Sequence, residues 1–173
     1  MNNLSPQEVI ATLNLAPHPE GGFYKETYRS TGTIGENSLP DNMVGYRTYG
    51  TSIHYLLRST DFSAFHRIKS DEIWNFNAGD SLEIFEIDSE GKLLSTILGS
   101  DITNAEVLTH VVVANRWFAA RPLASSKNKG YSLVTCIVAP GFDPQDFEMA
   151  NASILSEAIL KNPMVDELLI QKN

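Results

Sequence analysis

The chain has 173 residues, 42% of them hydrophobic, which is enough for one domain with a sizeable core and gives no reason to expect two. Its formal net charge of -8, with Arg67, Lys69 and the pair Lys127 and Lys129 scattered rather than clustered, argues against a phosphate backbone or an anionic membrane surface as partner. The single cysteine, Cys136, excludes an intrachain disulfide and a thiolate zinc site, and no apolar run reaches the length of a membrane span.

The N-terminal stretch MNNLSPQEVIATL has neither a basic start nor an apolar signal core, so a soluble, cytoplasmic protein is expected. Within it Ser5-Pro6-Gln7-Glu8 reads as a helix start, with Ser5 as cap, Pro6 at the first helical position and Glu8 completing a capping box. Val9, Ile10 and Leu13 then share a face, which predicts a short helix to Leu13 or Asn14, expected to cover one end of a barrel. In His18-Pro19-Glu20-Gly21-Gly22 the prolines and glycines specify a rigid bend, and a structural role is expected for it. Phe23 to Arg29 alternates as a strand, whereas residues 30–50 are polar and without period, as in a long functional or mobile loop.

A series of short strands follows. Ser52 to Arg58 puts Ile53, Tyr55 and Leu57 on one face and His54 on the other, and Phe62 to Ile68 leads through the turn Lys69-Ser70-Asp71 into Glu72 to Phe76. Turns at Ala78 to Ser81, Asp88 to Gly91 and Lys127 to Gly130 separate further strands ending in Tyr131 to Val138, where Cys136 is expected to be buried and inert. Strands at this spacing argue for a β-barrel or sandwich. After Asn151 the apolar positions Ile154, Leu155, Ala158 and Ile159, then Val165, Leu168 and Leu169 beyond Pro163, recur at helical spacing and predict two short helices on the outside of the barrel.

The stretch Phe65 to Gly79, FHRIKSDEIWNFNAG, carries the best functional clue: His66, Ile68, Glu72 and Gly79. Their spacing resembles the first signature of the cupin superfamily, with the second histidine replaced by Ile68. HPEGGFYKETYRS (His18 to Ser30) and VAPGFDPQDFEMA (Val138 to Ala150) resemble segments of an uncharacterised cupin-like branch, a domain of unknown function. The resemblance implies an all-β, single cupin-type β-barrel (jelly roll) with a short N-terminal helix and a helical C-terminal extension. One domain is expected over residues 1–173, the barrel at about 20–140 and the tail at about 151–171. It also implies a homodimer.

Cupins usually hold a metal with two His and a Glu from the first signature and a His from the second. Here the second signature corresponds to Val113 to Phe118, and Phe118 stands where the last His would. His66 and Glu72 alone fall short of a zinc site or an iron facial triad, so no cofactor is expected, and a divalent transition metal on that reduced set is kept as the alternative. The preferred expectation is a metal-independent isomerase or epimerase acting on a sugar or sugar-nucleotide-like ligand, with His66, Glu72 and Tyr55 catalytic. Tyr24, Tyr28 and Tyr131 are equally available as the acid. Trp74, Phe76, Ile68, Phe118 and Glu26 are expected to line the ligand, with Arg29 able to reach the same pocket or that of a neighbouring subunit. A non-enzymatic small-molecule binder competes with this, as does a core histidine merely satisfied by Glu72.

Elsewhere His110 is expected at the surface without an acidic neighbour, and Asp143, Asp146 and Glu148 in a solvated or capping role. Phosphate loop, dinucleotide fingerprint, nucleophile elbow and HExxH helix are all missing, as is the basic and aromatic interleaving of a single-strand binder. Neither nucleic acid nor membrane is expected as partner.

Overall fold

The computed structural model describes residues 4–123, 129–155 and 157–169. Helix α1 (Pro6–Leu13) precedes strands β1 (Ala16–Pro17), β2 (Phe23–Arg29), β3 (Thr33–Ile34), β4 (Arg47–Thr48), β5 (Thr51–Arg58), β6 (Ser63–Arg67) and β7 (Asp71–Gly79). Then come β8 (Leu82–Ile87), β9 (Leu93–Leu98), β10 (Thr109–Val112), β11 (Trp117–Pro122), β12 (Tyr131–Ala139) and β13 (Glu148–Met149), and last α2 (Glu157–Leu160) and α3 (Pro163–Glu167). Six strands form one antiparallel sheet in the order β1-β2-β5-β12-β7-β10, and five form the other in the order β13-β6-β11-β8-β9. The two sheets enclose the core of a jelly-roll barrel.

Strand alternation sorts the side chains into three apolar layers. Tyr55, Leu57, Trp74, Ile84, Phe118 and Val134 fill the barrel interior. The opposite face of the five-stranded sheet, through Phe65, Phe85, Ile87 and Ala119, packs under the tail residues Leu155, Val165, Leu168 and Leu169. This is the covering role the helical spacing predicted, and Phe65 N also donates to Leu168 O at 2.9 Å. The third layer corrects an expectation. Helix α1 has the expected capping box, yet it lies on the outer surface of the six-stranded sheet, where Val9 and Leu15 meet Leu56, Tyr131 and Leu133, rather than over a barrel end. Leu56 is the reason, because it sits between inward Tyr55 and Leu57 and so must point outward.

Strands β6 and β7 are not a hairpin. The Lys69-Ser70-Asp71 turn carries the chain from one sheet to the other, so His66 and Glu72 arise from facing walls of one interior. At the end of β7, Gly79 has φ +97°, and a Cβ there would lie 2.1 Å from Tyr131 O, so only glycine lets the turn close against β12. The turn residues Lys127 and Asn128 lie outside the described residues, as do residues 170 and 171 of the expected tail.

Residues 30–50, read as a loop without period, contain the β3–β4 ribbon and a 3-10 turn at Glu36–Ser38. They are clamped by a buried fork in which Arg47 Nε and Nη2 donate to the two oxygens of Asp146, each at 2.6 Å. Asp146 is therefore not a solvated acid, although Asp143 does cap its short turn by accepting from Gln145 N at 3.0 Å. Glu148 pairs with Arg67 at 2.6 Å. His110 also has an acidic partner, because Nε2 lies 2.6 Å from Oε1 of buried Glu86 on the facing sheet. Among the described residues no helix is long and apolar enough to cross a membrane.

Candidate functional site

The Pro/Gly bend before β2 positions one half of the site. Tyr55 donates its hydroxyl to Gly21 O at 2.8 Å, and Ala64 N donates to Glu20 O at 2.9 Å. Gly21 has φ +117°, with Phe62 O only 2.0 Å from where a Cβ would stand. From this bend the Glu20 carboxylate turns inward against β6. There Glu20 Oε2 lies 2.9 Å from His66 Nδ1 and accepts from Ser63 Oγ, while Oε1 lies 3.0 Å from His18 Nδ1. His66 Nδ1 is also 2.7 Å from Ala64 O. Both neighbours of that nitrogen are acceptors, so Nδ1 carries a proton and Nε2 is the nitrogen left for a molecule in the cavity. The imidazole is held between Phe118 and Phe147, at centroid distances of 4.0 and 5.5 Å.

A cavity of about 420 Å³ opens beside this cluster. His18, Glu20, His66, Glu72 and Cys136 supply its polar part, and Ile53, Ile68, Val138, Phe142, Pro144 and Phe147 its apolar walls. Glu26 and Arg29 border it too, joined to each other by a 2.7 Å ion pair, with Arg29 Nη1 donating to Phe142 O at 3.1 Å.

Burial and charge set the titrations apart. Burial disfavours the Glu20 carboxylate, but the charge and hydrogen bond of His66, the charge of His18 and the Ser63 hydroxyl outweigh it and hold the group below its ordinary range. Burial likewise opposes the His66 imidazolium, and Glu20, Glu72 and the Ala64 carbonyl overcome it, so the His66 pKa is raised. His18 goes the other way, because burial dominates and the charge of His66 adds to it against the attraction of Glu20. Glu72 is pushed up to about 7 by burial and then by the Glu20 charge, with His66, the Cys136 thiol and the Trp74 indole pulling back. The buried Trp74 Nε1 makes no hydrogen bond among the described residues. The Cys136 thiol is buried and pushed well up, first by burial and then by Glu72.

The expected site residues divide into two groups. His66, Glu72, Ile68 and Glu26 border the cavity, with Arg29 beside Glu26. Tyr55, Trp74 and Phe118 are buried in the barrel core rather than in the cavity lining, and Phe76 packs half-buried against that core. Tyr24 borders the cavity and stands edge-on to His18 at 4.5 Å. Sequence reading missed Glu20 and His18 as cavity residues. They stand 46 and 48 positions before His66, and the strand-like pattern of His66 gives no sign of which bend will reach it. The available signal was an ionisable pair set on a backbone too constrained to move.

The residues do not fit the metal centre that the resemblance implies. Ile68 and Phe118 replace two imidazoles, His66 and His18 both direct Nδ1 at Glu20, and no group of three or more His, Cys, Asp or Glu is arranged for an ion among the described residues.

Comparison with known proteins agrees with this architecture. An uncharacterized protein of Saccharomyces cerevisiae, YML079W, is 31% identical over 150 residues, covering 82% of this chain and 73% of that protein. A hypothetical protein from Leishmania major superposes with a TM-score of 0.85 at 30% identity over 97% of this chain and 100% of that one. Protein SO0799 from Shewanella oneidensis gives 0.84 at 33% identity, over 98% and 99%. A Bacillus subtilis oxalate decarboxylase is similar in fold alone, with a TM-score of 0.54 at 13% identity over 91% of this chain and 38% of that one. The profile of the family described as Cupin superfamily (DUF985) matches residues 7–150, and the chain belongs to that family, Cupin_5.

Proposed function

We propose that this cupin is a metal-independent isomerase or epimerase that moves a proton at a carbon next to a carbonyl group of a small molecule. The observation that carries the reading is one cavity with two complementary proton carriers. His66 has Nδ1 fixed on Glu20 at 2.9 Å, and Glu72 keeps its proton to about pH 7. His66 Nε2 takes the proton from carbon, Glu20 orients the ring and stabilises the imidazolium, and the Glu72 carboxyl returns a proton to the neighbouring position. The resulting Glu72 carboxylate is then reprotonated and His66 gives up the proton it took, so the protein returns to its starting state. The net change is a proton moved to the neighbouring position, or, in an epimerisation where the proton returns to the same carbon from the opposite face, inversion of that carbon. Glu72 takes the acid role here because the Tyr55 hydroxyl is committed to Gly21 O and its pKa is raised well above the ordinary phenol value, first by burial and then by Glu20.

The test is deuterium exchange at the α-carbon of small cyclic carbonyl compounds in D2O, followed by proton NMR. The wild type should accelerate exchange. His66→Ala and Glu72→Gln should each lower it by about 10²-fold or more, within the usual range for general acid/base groups. The rate should fall on the acid side as His66 is protonated and on the alkaline side as Glu72 loses its proton near pH 7, the two limbs belonging to the coupled pair. Binding without exchange in any compound would leave the chain a ligand carrier.

A further inference from the structure

The cavity also restricts what it can hold, and this step rests on the acid/base reading above. Its charged groups are arranged against anions. Glu20 and Glu26 border it, and the guanidinium among its described lining residues, Arg29, has Nε and Nη2 on Glu26 and Nη1 on Phe142 O. A ligand phosphate or carboxylate would be brought beside the buried Glu20 carboxylate and would have to compete with it for His66.

The walls are arranged against a polyol. The side chains of Ile53, Ile68, Val138, Phe142 and Phe147 offer no hydrogen bonds, and Tyr24 and Thr51 supply the hydroxyls among the described lining residues, Thr51 Oγ1 already accepting from Phe142 N at 3.0 Å. Sugar hydroxyls turned toward those walls would go unpaired, each at the cost of its desolvation. The volume of about 420 Å³ is near the lower end of small-molecule sites, which span roughly 300 to 1,000 Å³. Phe142 and Phe147, edge-to-face at 6.3 Å, supply walls suited to a flat ring.

We infer that the ligand is an uncharged, flat ring compound with an apolar body and one polar edge, carrying a carbonyl acceptor toward Glu72 and an acidic C–H or N–H toward His66. This places the ligand class away from the sugar-nucleotide expectation, since a diphosphate has no unshared cation to meet among the described lining residues.

Four probes separate the alternatives by NMR titration and calorimetry of the full chain at pH 7: oxindole, a neutral bicyclic lactam with an acidic C–H; indole-2-carboxylate, a similar body with a negative charge; methyl α-glucopyranoside; and UDP-glucose. Oxindole should bind with a dissociation constant of about 1 mM or tighter, the range a fragment reaches in a fitted pocket. It should bind roughly tenfold or more tightly than the carboxylate. Ile68→Trp, which fills the cavity, should abolish binding, and Val138→Phe serves the same purpose if that protein does not fold. Tighter binding of UDP-glucose, the glucoside or the carboxylate than of oxindole, or no oxindole binding at millimolar concentration, overturns the inference. A tight sugar nucleotide would remove the ligand class and leave the proton-transfer reading standing. Oxindole that binds without exchanging its C–H would do the reverse.

Discussion

Glu72 shows at the scale of one residue how burial in the cavity ties stability to pH. Its native carboxyl keeps a proton to about pH 7, against 4.5 for an ordinary glutamate, so between those values the folded state holds a proton that the unfolded state has released. Stability therefore falls as pH rises through that window, by on the order of 3 kcal/mol for a shift of this size. Glu72→Gln should flatten the slope between about pH 4.5 and 7 in urea denaturation run at a series of pH values. An unchanged slope would mean the carboxyl is not held protonated. His66 acts in the same direction, its contribution being present at low pH and lost as pH rises through its raised native pKa. Glu20 is opposite, contributing above its unfolded pKa and losing that contribution as pH falls through its depressed one. Glu20→Gln should lower the His66 pKa measured by histidine NMR, because the amide keeps the space but not the charge; His18→Gln should move it less.

Two elements hold this chemistry in place, and each can be broken by a single change. The bend at Gly21 leaves no room for a Cβ and requires a positive φ, so Gly21→Ala should cost about 1–3 kcal/mol or more and displace Glu20 from His66. Thermal unfolding reads the first effect and the His66 pKa the second. The Arg47–Asp146 fork ties residues 30–50 to the segment carrying Pro144 and Phe147 of the cavity wall. Arg47→Met leaves Asp146 buried, with Lys69 Nζ at 3.6 Å as its remaining cation, and should destabilise by about 3–5 kcal/mol. The double variant Arg47→Met with Asp146→Leu should recover much of that loss. Equal instability of both proteins would show that packing rather than charge holds the strap.

Over the whole molecule, the helical tail completes the second core. Val165 is wholly buried against the five-stranded sheet, so Val165→Asp should place an unpaired charge under Phe65 and Phe85 and lower the melting temperature sharply. Strand β6 connects this layer to the site, since Phe65 faces the tail and His66, one residue on, faces the cavity. Loosening the tail should therefore also weaken ligand binding. A variant that melts early yet binds oxindole normally would show that the two faces of β6 are uncoupled.

Local pattern makes much of the architecture legible in the sequence. The Ser5-to-Glu8 capping box, the alternation in β2, β5 and β12 and the turn at Gly79 each depend on neighbours within a few positions and form where the pattern puts them; the helical spacing after Asn151 yields α2 and α3, with Ile154 and Leu155 in the turn before α2. The cupin spacing of His66, Glu72 and Gly79 falls on β6 and β7, whose His66 and Glu72 border the cavity. Long-range pairing decides the rest. That β6 and β7 lie in different sheets, that Glu20 reaches His66 from across the chain, that Asp146 is buried under Arg47 and His110 bonded to Glu86, all follow from which strands become neighbours. A side chain's alternation states only that it points to one face. What waits on that face, another carboxylate, a guanidinium or an open cavity, is set by the closing of the barrel.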